Sequence, residues 1–225
     1  MGTDNLYHKR KAKSVWKHAR RKARRAAYSK VLIVCEGQNT EFQYFRGLRD
    51  YYGLNSANVD VCKDCNSDPL EIYKYAKRRY RQEKNKGDPF DHVFCVFDKD
   101  SHGTYSQALD QIRRTNPLGT FVAINSVPCF EYWLLLHFSY TERPYTALSG
   151  NSACNQVLTE LKNHIPDYSK GYKNTFGALA GNLDTAIDNA RSAMRAAESV
   201  ETDNPTTRVY ELVDFLRNLK KNSSR

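Results

Sequence analysis

Three carboxylates carry the strongest chemical signal in the sequence. Glu36 directly follows the apolar run VLIVC at residues 31–35, and Asp98 and Asp100 close the run HVFCVFDKD at residues 92–100. Each run reads as a buried strand. In an open parallel sheet, sites form beyond the carboxyl ends of the strands, so all three acids leave the sheet at one edge. Clustered carboxylates repel one another unless a cation neutralises them. A donor set of oxygens, with no His or Cys at the same edge, suits magnesium or manganese. Such an ion polarises a phosphoryl oxygen and activates water, which is the usual route to phosphodiester hydrolysis. The expected chemistry is metal-dependent cleavage of RNA or DNA. A lone acid after a strand is more often a helix cap or turn residue. The DKD spacing, together with EGQNTE after the other strand, lifts these residues above that reading.

Other residues carry two readings each. Glu41 is either a further metal ligand or a first-turn acid favoured by the helix dipole. Glu131 opens the apolar segment EYWLLLHF, where an unpaired buried charge is costly, so it faces the site or pairs with a base. His102 contacts phosphate or shuttles protons, or is a turn residue. Lys170 and Lys173, in YSKGYKN, neutralise phosphate charge in a transition state or belong to a solvated loop. His137 ends an apolar segment and reads as structural. Of the six cysteines, Cys35, Cys95 and Cys129 lie in or beside apolar segments, as buried thiols do. Cys62 and Cys65 form a single CxxC with no second ligand pair, which argues against structural zinc. Without a secretion signal, no disulfide is expected.

The elements that must position these residues alternate. Strands are expected at 31–35, 58–62, 92–98 and 120–126. Helices are expected after Thr40, from Asp68-Pro69 by the N-cap and N1-proline pattern, at TYSQALDQIRRT, and at 128–139. That order implies an α/β fold: a parallel sheet of about four strands flanked by helices. Residues 140–225 read as helical, packed on the core, with helices at 151–165, 178–200 and 205–222 and no strand. The domain reading is therefore an arm at 1–30, an α/β core at 31–139 and a helical region at 140–225.

Charge is unevenly placed. Residues 1–30 hold eleven Lys/Arg and one acid, a net of +10 that equals the net charge of the whole chain; the other 195 residues hold 24 basic and 24 acidic side chains. Lys9, Arg10, Lys11, Lys13, Lys17, Arg20, Arg21, Lys22, Arg24 and Arg25 thus form a basic arm on a neutral body, suited to nucleic acid through counterion release. A solvated tail is the alternative. No apolar run approaches the roughly 20 residues needed to span a membrane, and a soluble, cytoplasmic protein is expected.

VLIVCEGQNTEFQYF, then HVFCVFDKDSH, then INSVPCFEYWLLLHF resemble the RloB-like proteins of bacterial and archaeal defence loci, over most of residues 30–220 and including NPTTRVYELV. The resemblance implies a Toprim-like catalytic core and a role in antiviral defence by abortive infection. Glu36 would match the glutamate that ends the first strand, as acid/base or metal ligand. Asp98 and Asp100 would match the metal-binding DxD pair, and Glu131 would face the site. It also implies a separate ABC/AAA-type ATPase partner, since this chain has no GxxxxGK[ST] loop of its own. Two other readings remain. One is a nucleic-acid-binding module without catalysis, in which Glu36, Asp98 and Asp100 are dispensable. The other is a haloacid-dehalogenase-like phosphatase with Asp98 as nucleophile, although that fold expects the DxD strand first and leaves EGQNTE unexplained.

Overall fold

Five consecutive apolar residues without alternation can be buried only if both faces of their strand are covered, and Val31–Cys35 (β1) is buried at every position. A computed structural model of the chain describes residues 27–36, 40–62, 68–99, 102–171 and 174–221. The arm cations from Lys9 to Arg25, together with Cys65, Asp100 and Lys173, lie outside the described residues. Helix α1 (Thr40–Tyr51) follows β1, then β2 (Val59–Cys62), α2 (Pro69–Asn85), β3 (His92–Asp98), α3 (Tyr105–Arg113) and β4 (Phe121–Val127). The start of α2 obeys its sequence signal: the Asp68 carboxylate accepts from the amides of Leu70 and Glu71, and Pro69 takes N1, where no amide is needed.

The sheet runs β2-β1-β3-β4-β5, with β1 to β4 parallel. The fifth strand corrects the expectation of about four. β5 (Thr206–Thr207) pairs antiparallel with Val127 and Ser126 at the edge of β4. It lies in the PTTRV segment expected to be helical, in a region expected to hold no strand. Two threonines give no periodicity to read. They are recruited by tertiary contacts: the Thr207 hydroxyl meets the Ser126 hydroxyl at 2.9 Å. The helix expected at 128–139 is also shorter, with α4 confined to Glu131–Leu135. The remaining elements are α5 (Ala153–Lys162), α6 (Thr175–Leu179), a 3-10 turn (Ala180–Asn182), α7 (Leu183–Ser199) and α8 (Val209–Asn218).

The period of two along each strand divides the core. Val31, Ile33, Cys35, Phe94 and Val96 share one buried cluster with α1 and α4 to α8. Leu32, Val34, Val93, Cys95 and Phe97 share the other with α2 and α3. Two findings revise the residue-level reading. Cys129 and Cys154 are joined in a disulfide with Cα atoms 5.7 Å apart, against the expectation of none; their proximity arises from packing of α5 on α4 and is invisible in sequence. Lys30, counted with the basic arm, is only 5% exposed. Its Nζ donates to Glu83 Oε2 at 2.7 Å, Asp88 Oδ2 at 2.9 Å and the Asp88 carbonyl at 2.6 Å. It also sits 4.7 Å from the centre of the Phe90 ring. Burial would raise the Glu83 carboxyl, but Lys30 and Lys86 outweigh it and hold the group at about 2.

Removing the cation would take the buried ammonium from Asp88 and leave Glu83 to the half-exposed Lys86. Lys30→Ala is therefore expected to destabilise the protein by about 3–5 kcal/mol, read as a lower urea midpoint. A loss under about 1 kcal/mol, the scale of an exposed pair, would show that Glu83 and Asp88 are solvated instead.

Candidate active site

The strand order places a topological switch between β1 and β3: the chain leaves β1 for β2 on one side and returns to β3 on the other. The crevice at such a switch is where open α/β sheets bind ligands. Glu36 and Asp98 stand on either side of it. The Glu36 amide continues the ladder, donating to the Val96 carbonyl at 2.8 Å. Its carboxylate reaches across the switch and accepts the Asp98 amide at Oε2, at 2.7 Å. Asp98 follows Phe94 and Val96 in alternation, so it belongs to the face covered by α1 and α4.

Those two helices bring further acids. Glu41 sits in the first turn of α1 and Glu131 in the first turn of α4. Burial pushes the Asp98 carboxyl well above its ordinary range, and Glu41, Glu36 and Glu131 push it the same way; a hydrogen bond from the Phe130 amide opposes them. Burial likewise raises Glu41 to about 8. Its own amide and Lys170 work against the rise, while Glu131 and Glu36 add to it. Four acids therefore converge electrostatically, and burial together with the neighbouring acids raises two of them, Asp98 and Glu41.

The surroundings are specific. His102 Nε2 lies 3.5 Å from Glu36 Oε1. Glu131 is buried, with Lys170 Nζ 3.9 Å from its Oε1. The Tyr168 hydroxyl donates to the same oxygen at 3.3 Å. Thr40, the first residue of α1, accepts the Gly171 amide at 3.3 Å, which ties the Tyr168–Lys170 segment to the helix carrying Glu41. The structure thus brings together Glu36, Asp98, Glu41, Glu131, His102 and Lys170. Asp100 and Lys173 fall outside the described residues. Tyr168, Thr40 and the Phe130 amide were not found from sequence. A lone tyrosine in a loop has no periodicity, although it sits in the same YSKGYKN segment that drew attention to the lysines. His137 is structural, as expected. It is buried, its Nδ1 is 3.0 Å from the Trp133 carbonyl, and burial lowers it to about 4. It therefore stays neutral, with the proton on Nδ1. Its Nε2, the Tyr44 hydroxyl and Trp133 Nε1 are buried without a hydrogen-bond partner.

What cation could these residues hold? Among the described residues, three ligand atoms come within 4.8 Å of one another only at Cys129, Glu131 and Cys154. The two sulfurs there are bonded to each other, so no thiolate is left for a metal. The carboxylates Glu36, Glu41, Asp98 and Glu131 are more loosely spaced. Magnesium and manganese keep several waters and take only one or two carboxylates, so they do not require so tight a group. The oxygen-only donor set points the same way. Cys62 offers little to zinc: burial and Asp60 push its thiol up to about 12.

The fold is a mostly parallel, doubly wound α/β sheet with an acidic crevice at its switch point, the architecture of a ligand-binding or catalytic α/β domain. The sequence matches the family described as RloB-like protein over residues 31–216, and the chain belongs to that family. No curated protein and no solved structure matches it. Among the described residues, no helix is long and apolar enough to cross a membrane.

A raised carboxyl makes a signed stability prediction. Glu41 binds its proton more tightly folded than unfolded. The stability this contributes is complete below about pH 4.5, the ordinary carboxyl value, and is lost as pH rises toward about 8. Glu41→Gln keeps the neutral form at every pH. In EDTA the variant should gain on the wild type across that window, by about 1–3 kcal/mol at pH 8. Thermal unfolding at a series of pH values reads this directly, and a pH-independent difference would mean that Glu41 is fully solvated.

Proposed function

We propose that this chain is a metal-dependent nuclease that hydrolyses phosphodiester bonds of RNA or DNA at the Glu36–Asp98 crevice. The observation that carries the reading is the convergence of four carboxylates at the sheet's switch point. Such an arrangement opposes its own folding unless a cation neutralises it. Membership of the RloB-like family supports the same reading. The resemblance that identified the family adds a Toprim-type core and Asp100 as the second half of a DxD pair. It also adds a role in antiphage defence beside a separate ABC/AAA-type ATPase.

The residues divide the work. Asp98, with Glu36 and Asp100, would hold magnesium or manganese. A bound ion would supply charge neutralisation at the phosphoryl oxygens and a more acidic water. Glu36 is fixed by the Asp98 amide through one oxygen, while its other oxygen faces His102. In this position it can take a proton from an attacking water, with His102 next in line to carry it away. Glu131 and Tyr168 position Lys170 at the mouth of the crevice, where an ammonium offsets charge building on a phosphate. The cations from Lys9 to Arg25 would gather the polyanion.

The test is cleavage of RNA and DNA by purified protein with magnesium, manganese or EDTA. Activity should require the metal. Glu36→Gln should lower it by about 10²–10⁴-fold, the usual worth of a general base, and Asp98→Asn should abolish the metal requirement together with the activity. Full magnesium-dependent cleavage by a folded Asp98→Asn protein would remove the site from consideration.

A further inference from the structure

A second charged feature lies away from the carboxylates. Helices α2 and α3 bound a recess of about 740 Å³ lined by Lys77, Arg81 and Arg114, with Gln107, Gln111 and Asn116 between them. Its floor is braced: the Tyr73 hydroxyl meets the Thr115 hydroxyl at 2.8 Å and accepts from Lys77 Nζ at 2.9 Å. Several cations elsewhere on or beside these helices are matched by acids, although Arg78 meets only the Tyr75 ring. Lys74 pairs with Glu71, Arg79 with Asp60, Lys86 with Glu83 and Arg113 with Asp110. Inside the recess the matching fails. Arg81 has no partner among the described residues. Lys77 meets only a tyrosine hydroxyl and ring. Arg114 comes no closer than 4.0 Å to Asp110, the one acid in the lining, which Arg113 already holds at 2.8 Å. A solvated helix face commonly carries both signs. A concave surface with three cations and one neutralised acid focuses a positive potential instead.

We propose that this recess is a contact site for the phosphodiester backbone of the nucleic acid, separate from the crevice where the bond is cut. The proposal deepens the nuclease reading and rests on it. The cations meet phosphates, and the carboxamides, each with donor and acceptor edges, meet sugar and base groups beside them. The path is short. Asp68 caps α2 at the crevice edge and its carboxylate accepts from Thr104, two residues past His102. Lys77 and Arg81 lie about 13 and 20 Å farther along the helix axis at 1.5 Å per residue. That is the span of roughly four to six nucleotides at about 3.4 Å per strand repeat. A strand held at both places would have its scissile phosphate fixed in register by contacts that do no chemistry.

The experiment uses the full chain in EDTA with labelled single-stranded RNA, single-stranded DNA and duplex DNA of one sequence, titrated over a salt series. The triple variant Lys77→Gln, Arg81→Gln, Arg114→Gln is compared with wild type and with Lys74→Gln, a paired lysine on the same helix. The triple variant should bind every probe it recognises more weakly and lower the slope of log affinity against log salt by about 2–3, while Lys74→Gln leaves the slope alone. If the triple variant melts below wild type, Arg81→Gln alone decides, with an expected slope change of about 0.7–0.9. An unchanged slope, or no binding of any probe by wild type, overturns the recess. Cleavage with magnesium is scored in parallel on the same preparations. An unchanged slope with Glu36-dependent cleavage intact removes the recess and keeps the nuclease. A lowered slope without cleavage by wild type keeps the recess as a nucleic-acid surface and removes the catalysis.

Discussion

Parallel pairing of β1 with β3 is the constraint from which the site follows. The register sets Cys35 beside Val96, so the next residues of each strand, Glu36 and the Phe97–Asp98 pair, emerge together. Because the chain has crossed to β2 in between, the two strand ends border the switch point of the sheet. Two acids at the ends of adjacent strands would ordinarily swing apart. Here the Asp98 amide captures the Glu36 carboxylate, so one acid is pinned by the backbone of the other. The alternation of the strands then sends the Asp98 side chain to the face of α1 and α4, where Glu41 and Glu131 wait. The clustering is a result of topology as much as of sequence.

Such a cluster has a thermodynamic consequence that the rest of the fold must offset. Asp98 and Glu41 both hold protons above their ordinary range, which marks repulsion and desolvation left uncompensated in the protein alone. At the opposite end of the same strands the electrostatics are closed. Lys30 precedes β1, Asp91 precedes β3, and their backbones are joined by the Asp91 amide to the Lys30 carbonyl at 2.8 Å. The Lys30 amide in turn donates to the Asp91 carboxylate at 2.6 Å. The Lys30 ammonium is satisfied by Glu83, Asp88 and the Phe90 face. One end of the β1–β3 pair is thus a neutralised buried network, and the other a crevice where, among the described residues, four acids meet Lys170 and His102. Buried like charges persist where surrounding structure holds them and function uses them.

Much of this was legible from residue pattern, and the failures have physical causes. VLIVC and HVFCVF were readable as central strands because nothing polar interrupts them, and their adjacency followed from that. Asp68-Pro69 announced α2 because an N-cap acceptor and a residue without an amide meet the same local need. β5 was not legible: two threonines owe their strand geometry to Ser126 and to an edge left open on β4. The segment 128–139 looked like a long helix because its residues are mostly apolar, yet burial on every side reports only an interior position and not a period. Lys30 was miscounted because a charge tally cannot see that a lysine is enclosed. The Cys129–Cys154 bond and the Tyr168 contact join residues far apart in sequence, so only the packing of α5 and the Tyr168–Lys170 loop against α4 reveals them. At the site itself, Glu36 and Asp98 stood out because strand ends are marked in the sequence. Their supporting residues come from loops, which are not.

An acidic crevice poses a problem for any polyanionic substrate. Four carboxylates repel the phosphates they would process, so attraction has to arise elsewhere on the molecule. Outside residues 1–30 the chain has as many acids as bases, and neutrality on average says nothing of placement. Four acids converge at the carboxyl edge of the sheet, and a group of cations without acid partners at hand sits on the α2–α3 layer. Placing capture and chemistry on different surfaces lets each keep the sign it needs. Cations brought into the crevice to hold substrate would neutralise the very carboxylates that are to take a metal. Lys170, mostly exposed, keeps its ammonium 3.9 Å from Glu131 at the rim of the group. On the proposed reading, the division of charge between the strand ends and the helices over the opposite face would let one neutral domain both attract a polyanion and leave its acidic site to a cation.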